Sequence, residues 1–184
     1  MGNPLIPEQA SSFAVEVDAI YLVLWALTLF FSFLVMATIV FFAYRYRRGA
    51  RVDRTRRVHS DLRVELVWSL VPLAIGLVIF LWSANLYART RIPPADAMEV
   101  YVIGKRWMWQ MQHMNGVREN AELHLPVNRN VKLTMISQDV IHSFYVPAFR
   151  VKHDVVPGTY TELWFRPTRV GRYRLYCSQY CGTQ

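Results

Sequence analysis

Cys177 and Cys181 are separated by Ser178, Gln179 and Tyr180, and His142 stands about thirty-five residues upstream of the pair. Thiolate sulfur and imidazole nitrogen suit copper and zinc, and one loop can bring both sulfurs to the same point in space. The same spacing would serve a disulfide equally well, the ordinary fate of two cysteines in an exported domain. Spacing alone does not decide between them. His59, His113, His124 and His153 have no motif around them and read as structural or exposed histidines.

Such a site needs a frame, and the 184-residue chain divides into parts that could supply one. Residues 19–44 and 66–88 carry no charged side chain and are dense in Leu, Phe, Val and Ile. At 1.5 Å per residue each run is long enough to cross a hydrocarbon core of about 30 Å. The reading is a membrane helical hairpin within residues 19–91, preceded by an exported segment, residues 1–18, and followed by a domain over residues 92–184. Residues 1–18 lack a basic stretch before an apolar core, so either a signal was removed or the first helix directs insertion.

The net charge of +8 is concentrated rather than spread. Residues 45–64 hold Arg45, Arg47, Arg48, Arg51, Arg54, Arg56, Arg57 and Arg63, which places this connector in the cytoplasm and both chain ends on the other side. That distribution argues against a nucleic-acid partner. Ser11 or Ser12 through Asp18 reads as an amphipathic lead-in, with Glu16 and Asp18 near the helix start, where the dipole favours negative charge. Glu65 stands at the mouth of the second apolar run. An acid there is either an ordinary helix N-terminal residue or a functional carboxylate at membrane depth.

After a proline-stiffened linker over residues 89–97 the apolar period becomes two. Strand-like runs at 98–103, 121–125, 131–136, 160–165 and 172–176 are separated by turn signals such as Asn115-Gly116 and Pro157-Gly158, the pattern of a Greek-key sandwich or barrel. There is no internal repeat, low-complexity run or Gly-rich phosphate loop.

Asp139-Val140-Ile141-His142-Ser143-Phe144-Tyr145-Val146-Pro147 and Cys177-Ser178-Gln179-Tyr180-Cys181-Gly182 together resemble cytochrome c oxidase subunit II, and the resemblance extends over nearly the whole chain. It implies a cupredoxin-like barrel holding a binuclear copper centre, CuA. Cys177 and Cys181 would be bridging thiolates, His142 a terminal imidazole and Gln179 the backbone-carbonyl ligand. A second histidine and a methionine would follow Gln184, so the expectation is a natural chain that continues. Gln179 replaces a Glu whose carboxylate reaches magnesium in that family, and a neutral amide is the poorer ligand for a hard cation. Gly104-Lys105-Arg106-Trp107-Met108-Trp109 resembles the family's aromatic stretch, with Trp107 where electrons enter and Trp109 equally well a packing residue. Glu65, in a Glu-x-x-Trp-x-x-x-Pro context, corresponds to the entrance of a proton pathway.

The resemblance implies the electron-accepting subunit of a proton-translocating haem-copper oxygen reductase in a bacterial inner or equivalent membrane, with its C-terminal domain periplasmic. Its partners would be subunit I, which carries haem, the other oxidase subunits, and a cytochrome c type donor, including a fused or tightly associated haem c domain. The alternative is a membrane-tethered copper-binding or copper-delivery protein.

Overall fold

A computed structural model describes residues 7–53 and 61–183. Residues 1–6, the connector residues Arg54, Arg56, Arg57 and His59, and Gln184 lie outside the described residues. The chain forms two compact units, residues 19–84 and a β unit that joins the N-terminal segment through Asp18 to everything from Asn85 onward.

Helix α1 runs Ala14–Arg45 and α2 runs Leu62–Arg91. At 1.5 Å per residue their 32 and 30 residues extend about 45–48 Å. Both are apolar around the whole circumference, and Leu22, Phe33, Met36, Leu70, Phe80 and Leu81 are exposed. None of the most apolar stretch of either helix is buried, whereas the core helix of a soluble protein would be covered. Such surfaces are stable in lipid, where a helix satisfies its own backbone. Pro72 lies inside α2, and the helix ends one residue before Ile92-Pro93-Pro94, where the residue preceding a proline disfavours helix.

The β unit contains two sheets. Strands β1 (Met98–Lys105), β2 (Met108–His113), β3 (Arg118–Asn120), β4 (Val131–Ser137) and β7 (Thr161–Phe165) form the first, in the order β3-β2-β1-β4-β7. Strands β5 (His142–Val146), β6 (Val151–Val155) and β8 (Tyr176–Cys177) form the second, in the order β6-β5-β8. All pairs are antiparallel except β1 with β4, because the chain forms the β2–β3 hairpin on one side of β1 and then returns to lie along its other side. Alternation places the core: Val131, Leu133 and Met135 of β4 and Val100 and Val102 of β1 are fully buried, as are Met111, Phe144 and Phe165. Each such side chain contributes about 1.5–3 kcal/mol by leaving water.

Several local expectations change. Residues 121–125 are not a strand, because Ala121 takes a positive φ of 58° that ends the ladder after β3. Of residues 172–176 only Tyr176 is in a strand, with Gly171 and the arginines around it exposed. Strands β2, β3, β5 and β6 were not among the expected runs. The lead-in over residues 11–18 is instead a strap followed by helix. Ala10 and Ser12 donate to the carbonyls of Ala148 and Arg166 at 2.9 and 3.0 Å, Thr168 donates to Ala10 at 2.8 Å, and the Phe13 ring meets Trp164 edge-on at 4.8 Å. Glu16 and Asp18 do more than meet a helix dipole. Arg89 pairs with Glu16, and Arg150, held at φ 56°, donates to both oxygens of Asp18 at 2.7 and 2.8 Å.

Candidate metal centre

Two rungs of the second sheet assemble the site. Phe144 pairs with Cys177 across β5 and β8, and the Ser178 N–H continues the ladder to the Ser143 carbonyl at 3.1 Å. Antiparallel register then directs residues 178–181 back over His142, the first residue of β5. Gly182, at φ 107°, turns the chain where a side chain would be strained.

The ligand atoms of His142, Cys177 and Cys181 lie within 4.8 Å of one another. Cys177 Sγ is 3.8 Å from His142 Nδ1, 3.9 Å from Cys181 Sγ and 3.5 Å from the Gln179 carbonyl oxygen. A disulfide requires about 2.05 Å, so these are two free thiols. Half of 3.9 Å is less than a metal–thiolate bond of about 2.3 Å, so both sulfurs can bond one soft ion. With two sulfurs, one imidazole nitrogen and a carbonyl oxygen converging, the donor set fits a copper or zinc ion.

The thiols differ. Burial pushes Cys177 up, but backbone hydrogen bonds at Ser143 and Gln179, with His142 and Cys181 beside it, outweigh burial and leave it below the ordinary thiol value. Burial, and then the neighbouring Cys177, hold Cys181 above that value. One sulfur therefore ionises ahead of the other, and a cation would displace the second proton.

His142 is almost wholly buried and held on three sides. A Cβ at Gly104 would come within 2.9 Å of its Cδ2, so only glycine gives the ring a flat bed. The Trp109 ring meets it edge-on at 5.7 Å. Asp139 Oδ1 lies 2.7 Å from Nε2, a pairing that assigns the proton to Nε2 and leaves the Nδ1 lone pair facing Cys177. Burial works to raise the Asp139 carboxyl. Hydrogen bonds from His142 and from the Val140 and Arg106 backbone outweigh it, so Asp139 stays ionised far below the usual carboxylate range.

Of the other residues singled out, Trp107 occupies the β1–β2 turn and is half exposed, whereas Trp109 is a core residue against His142 and Phe144. Glu65 lies in the first turn of α2 and belongs to the other unit. His113 and His124 both contact Glu119, and His153 contacts Arg91. Gly104, Asp139 and the Arg106 backbone are site residues that motif reading did not assign. The Asp139-x-x-His142 spacing was the available signal.

Fold and site together define a class: a cupredoxin-like β domain with a soft-metal ligand loop, carried by a chain with two apolar helices. Residues 112–184 match the family described as cytochrome c oxidase subunit II, periplasmic domain. An alternative cytochrome c oxidase subunit 2 from Bradyrhizobium diazoefficiens is 30% identical over 184 aligned residues, covering 82% of this chain and 66% of that one. A cytochrome c oxidase subunit 2 from Thermostichus vulcanus is 27% identical, covering 97% and 71%. The crystal structure of the periplasmic domain of subunit II of cytochrome oxidase from Bradyrhizobium japonicum is 28% identical, with a TM-score of 0.47, covering 50% of this chain and 79% of that one. The chain thus spans about two thirds of the length of the first two relatives. It belongs to the cytochrome c oxidase subunit II family, and it is an integral membrane protein.

Proposed function

We propose that the chain is the electron-accepting subunit of a haem-copper oxygen reductase, with a binuclear copper centre held by Cys177, Cys181, His142 and the Gln179 carbonyl. The observation that carries this reading is the convergence of two free thiols and a buried, oriented imidazole on one point, within 4.8 Å. When bound, the copper centre would supply a one-electron carrier held by the Cys177 and Cys181 thiolates and His142. The chain's own residues hold the ligands still between redox states: Gly104, Trp109 and Asp139 fix His142, and the β5–β8 ladder fixes Cys177. Limited ligand movement suits an electron relay rather than a bond-making site.

Trp107 is the point at which electrons enter, supported by its exposure one residue from Arg106, whose backbone touches Asp139. Electrons pass to haem in subunit I. Glu65 helps load protons into subunit I, supported by its place in the first turn of an apolar helix. The β unit faces the periplasm of a bacterial inner membrane, and the arginine-rich connector faces the cytoplasm. No role is assigned to magnesium, because Gln179 offers an amide rather than a carboxylate.

Copper stoichiometry and electron paramagnetic resonance of the oxidised complex test this. Two coppers per chain with one electron shared equally between them are expected, and Cys177→Ser or Cys181→Ser should abolish the signal. A single exchangeable copper would instead indicate copper delivery. In the same preparation Glu65→Ala should slow turnover at unchanged copper content. A rate equal to wild type from pH 6 to 9 would return Glu65 to an ordinary interfacial position.

A further inference from the structure

Asp139 joins two parts of the site that lie more than thirty residues apart in sequence. Its Oδ1 pairs with His142 Nε2 and its Oδ2 accepts the backbone N–H of Arg106, each at 2.7 Å. Arg106 immediately precedes the exposed Trp107. The carboxylate cannot swing freely, since Oδ1 also accepts the Val140 N–H at 2.6 Å and the Asp139 N–H donates to Ser137 Oγ at 3.2 Å. The Arg106 side chain passes beside the ligand loop, its Cδ lying 3.7 Å from where a Cβ on Gly182 would stand.

We propose that Asp139 is a positioning residue that ties the Arg106 backbone, immediately before Trp107, to the ligand His142, so that the electron-accepting surface and the metal-holding imidazole keep one fixed spacing. The proposal rests on the reading of Trp107 and the copper centre given above. From the Arg106–Trp107 peptide to the imidazole the connection consists of covalent bonds and two short hydrogen bonds. One electron leaves a haem c donor, which is oxidised, and the centre is reduced by one. No bond is made or broken, and Asp139 keeps its charge throughout. The groups facing the two oxygens, His142 Nε2 with the Val140 N–H on Oδ1 and the Arg106 N–H on Oδ2, are all N–H donors, so each oxygen must accept. Asparagine offers one acceptor oxygen and a donor amide, and can satisfy one side only at the other's expense.

The test compares the intact complex with its Asp139→Asn and Asp139→Ala variants. Three quantities are read: copper per complex, hydrogen exchange at the Arg106 amide, and the rate at which a rapidly photoreduced haem c donor reduces the centre. The expected result for Asp139→Asn is retained copper, faster exchange at Arg106, and reduction slower by about 10–100-fold, the usual cost of losing a partner of a metal ligand. Retained copper with unchanged exchange and rate would overturn the proposal. Where a variant loses copper, exchange at Arg106 measured against copper-free wild type decides: acceleration supports the tie and no change overturns it. A wild-type complex without copper would sink the functional reading itself, a different outcome from copper-loaded variants that behave as wild type.

Discussion

Gly104 shows how little room the site leaves. A methyl group there would stand 2.9 Å from His142 Cδ2, closer than real Cβ contacts come, and a tight 3.1 Å from the Trp109 ring, so something must shift. His142 is fixed by Asp139, and Trp109 is packed against Phe144 with centroids 5.4 Å apart. Gly104→Ala should therefore tilt the imidazole away from Cys177, costing about 1–3 kcal/mol of stability through overpacking and lowering copper affinity. Chemical denaturation and competition with a chelator measure the two effects, and wild-type values in both would show that the ring has slack. The thiols and His142 could be singled out from residue type, because ligand chemistry restricts which residues can serve, but spacing left a disulfide equally open and only the resemblance to subunit II favoured a metal. Gly104 was not legible: its importance comes from the distance between β1 and the start of β5, which no local pattern encodes.

Elements divide in the same way. Both apolar helices and strands β1, β4 and β7 could be read, since their periodicity is set by a lipid environment or by one buried face. β5, His142–Val146, shows no alternation, because four of its five residues are buried. β2 was obscured by Trp107, exposed in the turn before it, and by Trp109, buried within it, and the strap over residues 7–13 has no periodicity at all. The β2–β3 edge is secured by Glu119, which faces His113 Nε2 at 3.2 Å and His124 Nδ1 at 2.7 Å and accepts the His124 N–H at 3.0 Å. Burial works to raise Glu119, but the His124 backbone and the two imidazoles outweigh it and hold the carboxyl below its usual value. A depressed carboxylate contributes stability that is present above the unfolded-state value, about 4.3, and is lost as pH falls through the folded one. Glu119→Gln should thus cost about 1–2 kcal/mol at pH 7, and the difference from wild type should shrink as the pH is taken below 4. A penalty of equal size at pH 7 and pH 3 would assign the effect to packing instead of charge.

At the scale of the whole molecule the charge distribution bears on the electron donor. Residues 92–184 carry eleven Lys and Arg against seven Asp and Glu. The acids that could form a docking patch near the ligand loop are already engaged, Asp139 with His142 and Arg106 and Asp154 with the Ser143 hydroxyl at 2.7 Å. Elsewhere in the domain Glu99 and Glu162 share Lys132, at 3.4 and 2.8 Å. Long-range steering depends on complementary potential, and a net positive domain does not attract a basic carrier. The proposed electron-accepting role would then call for a donor held by other means: a haem c domain joined to the chain, a tightly associated partner, or a neutral to acidic carrier. On the proposed reading Trp107 would still be its landing point, because transfer from surface to metal depends on contact and packing. Oxidation of a basic soluble cytochrome c by the complex, followed as ionic strength rises, separates the cases. Slow turnover that varies little with salt is expected. Fast turnover at low salt, falling steeply as the Debye length shortens toward about 8 Å, would reveal an acidic docking face and defeat the argument from charge.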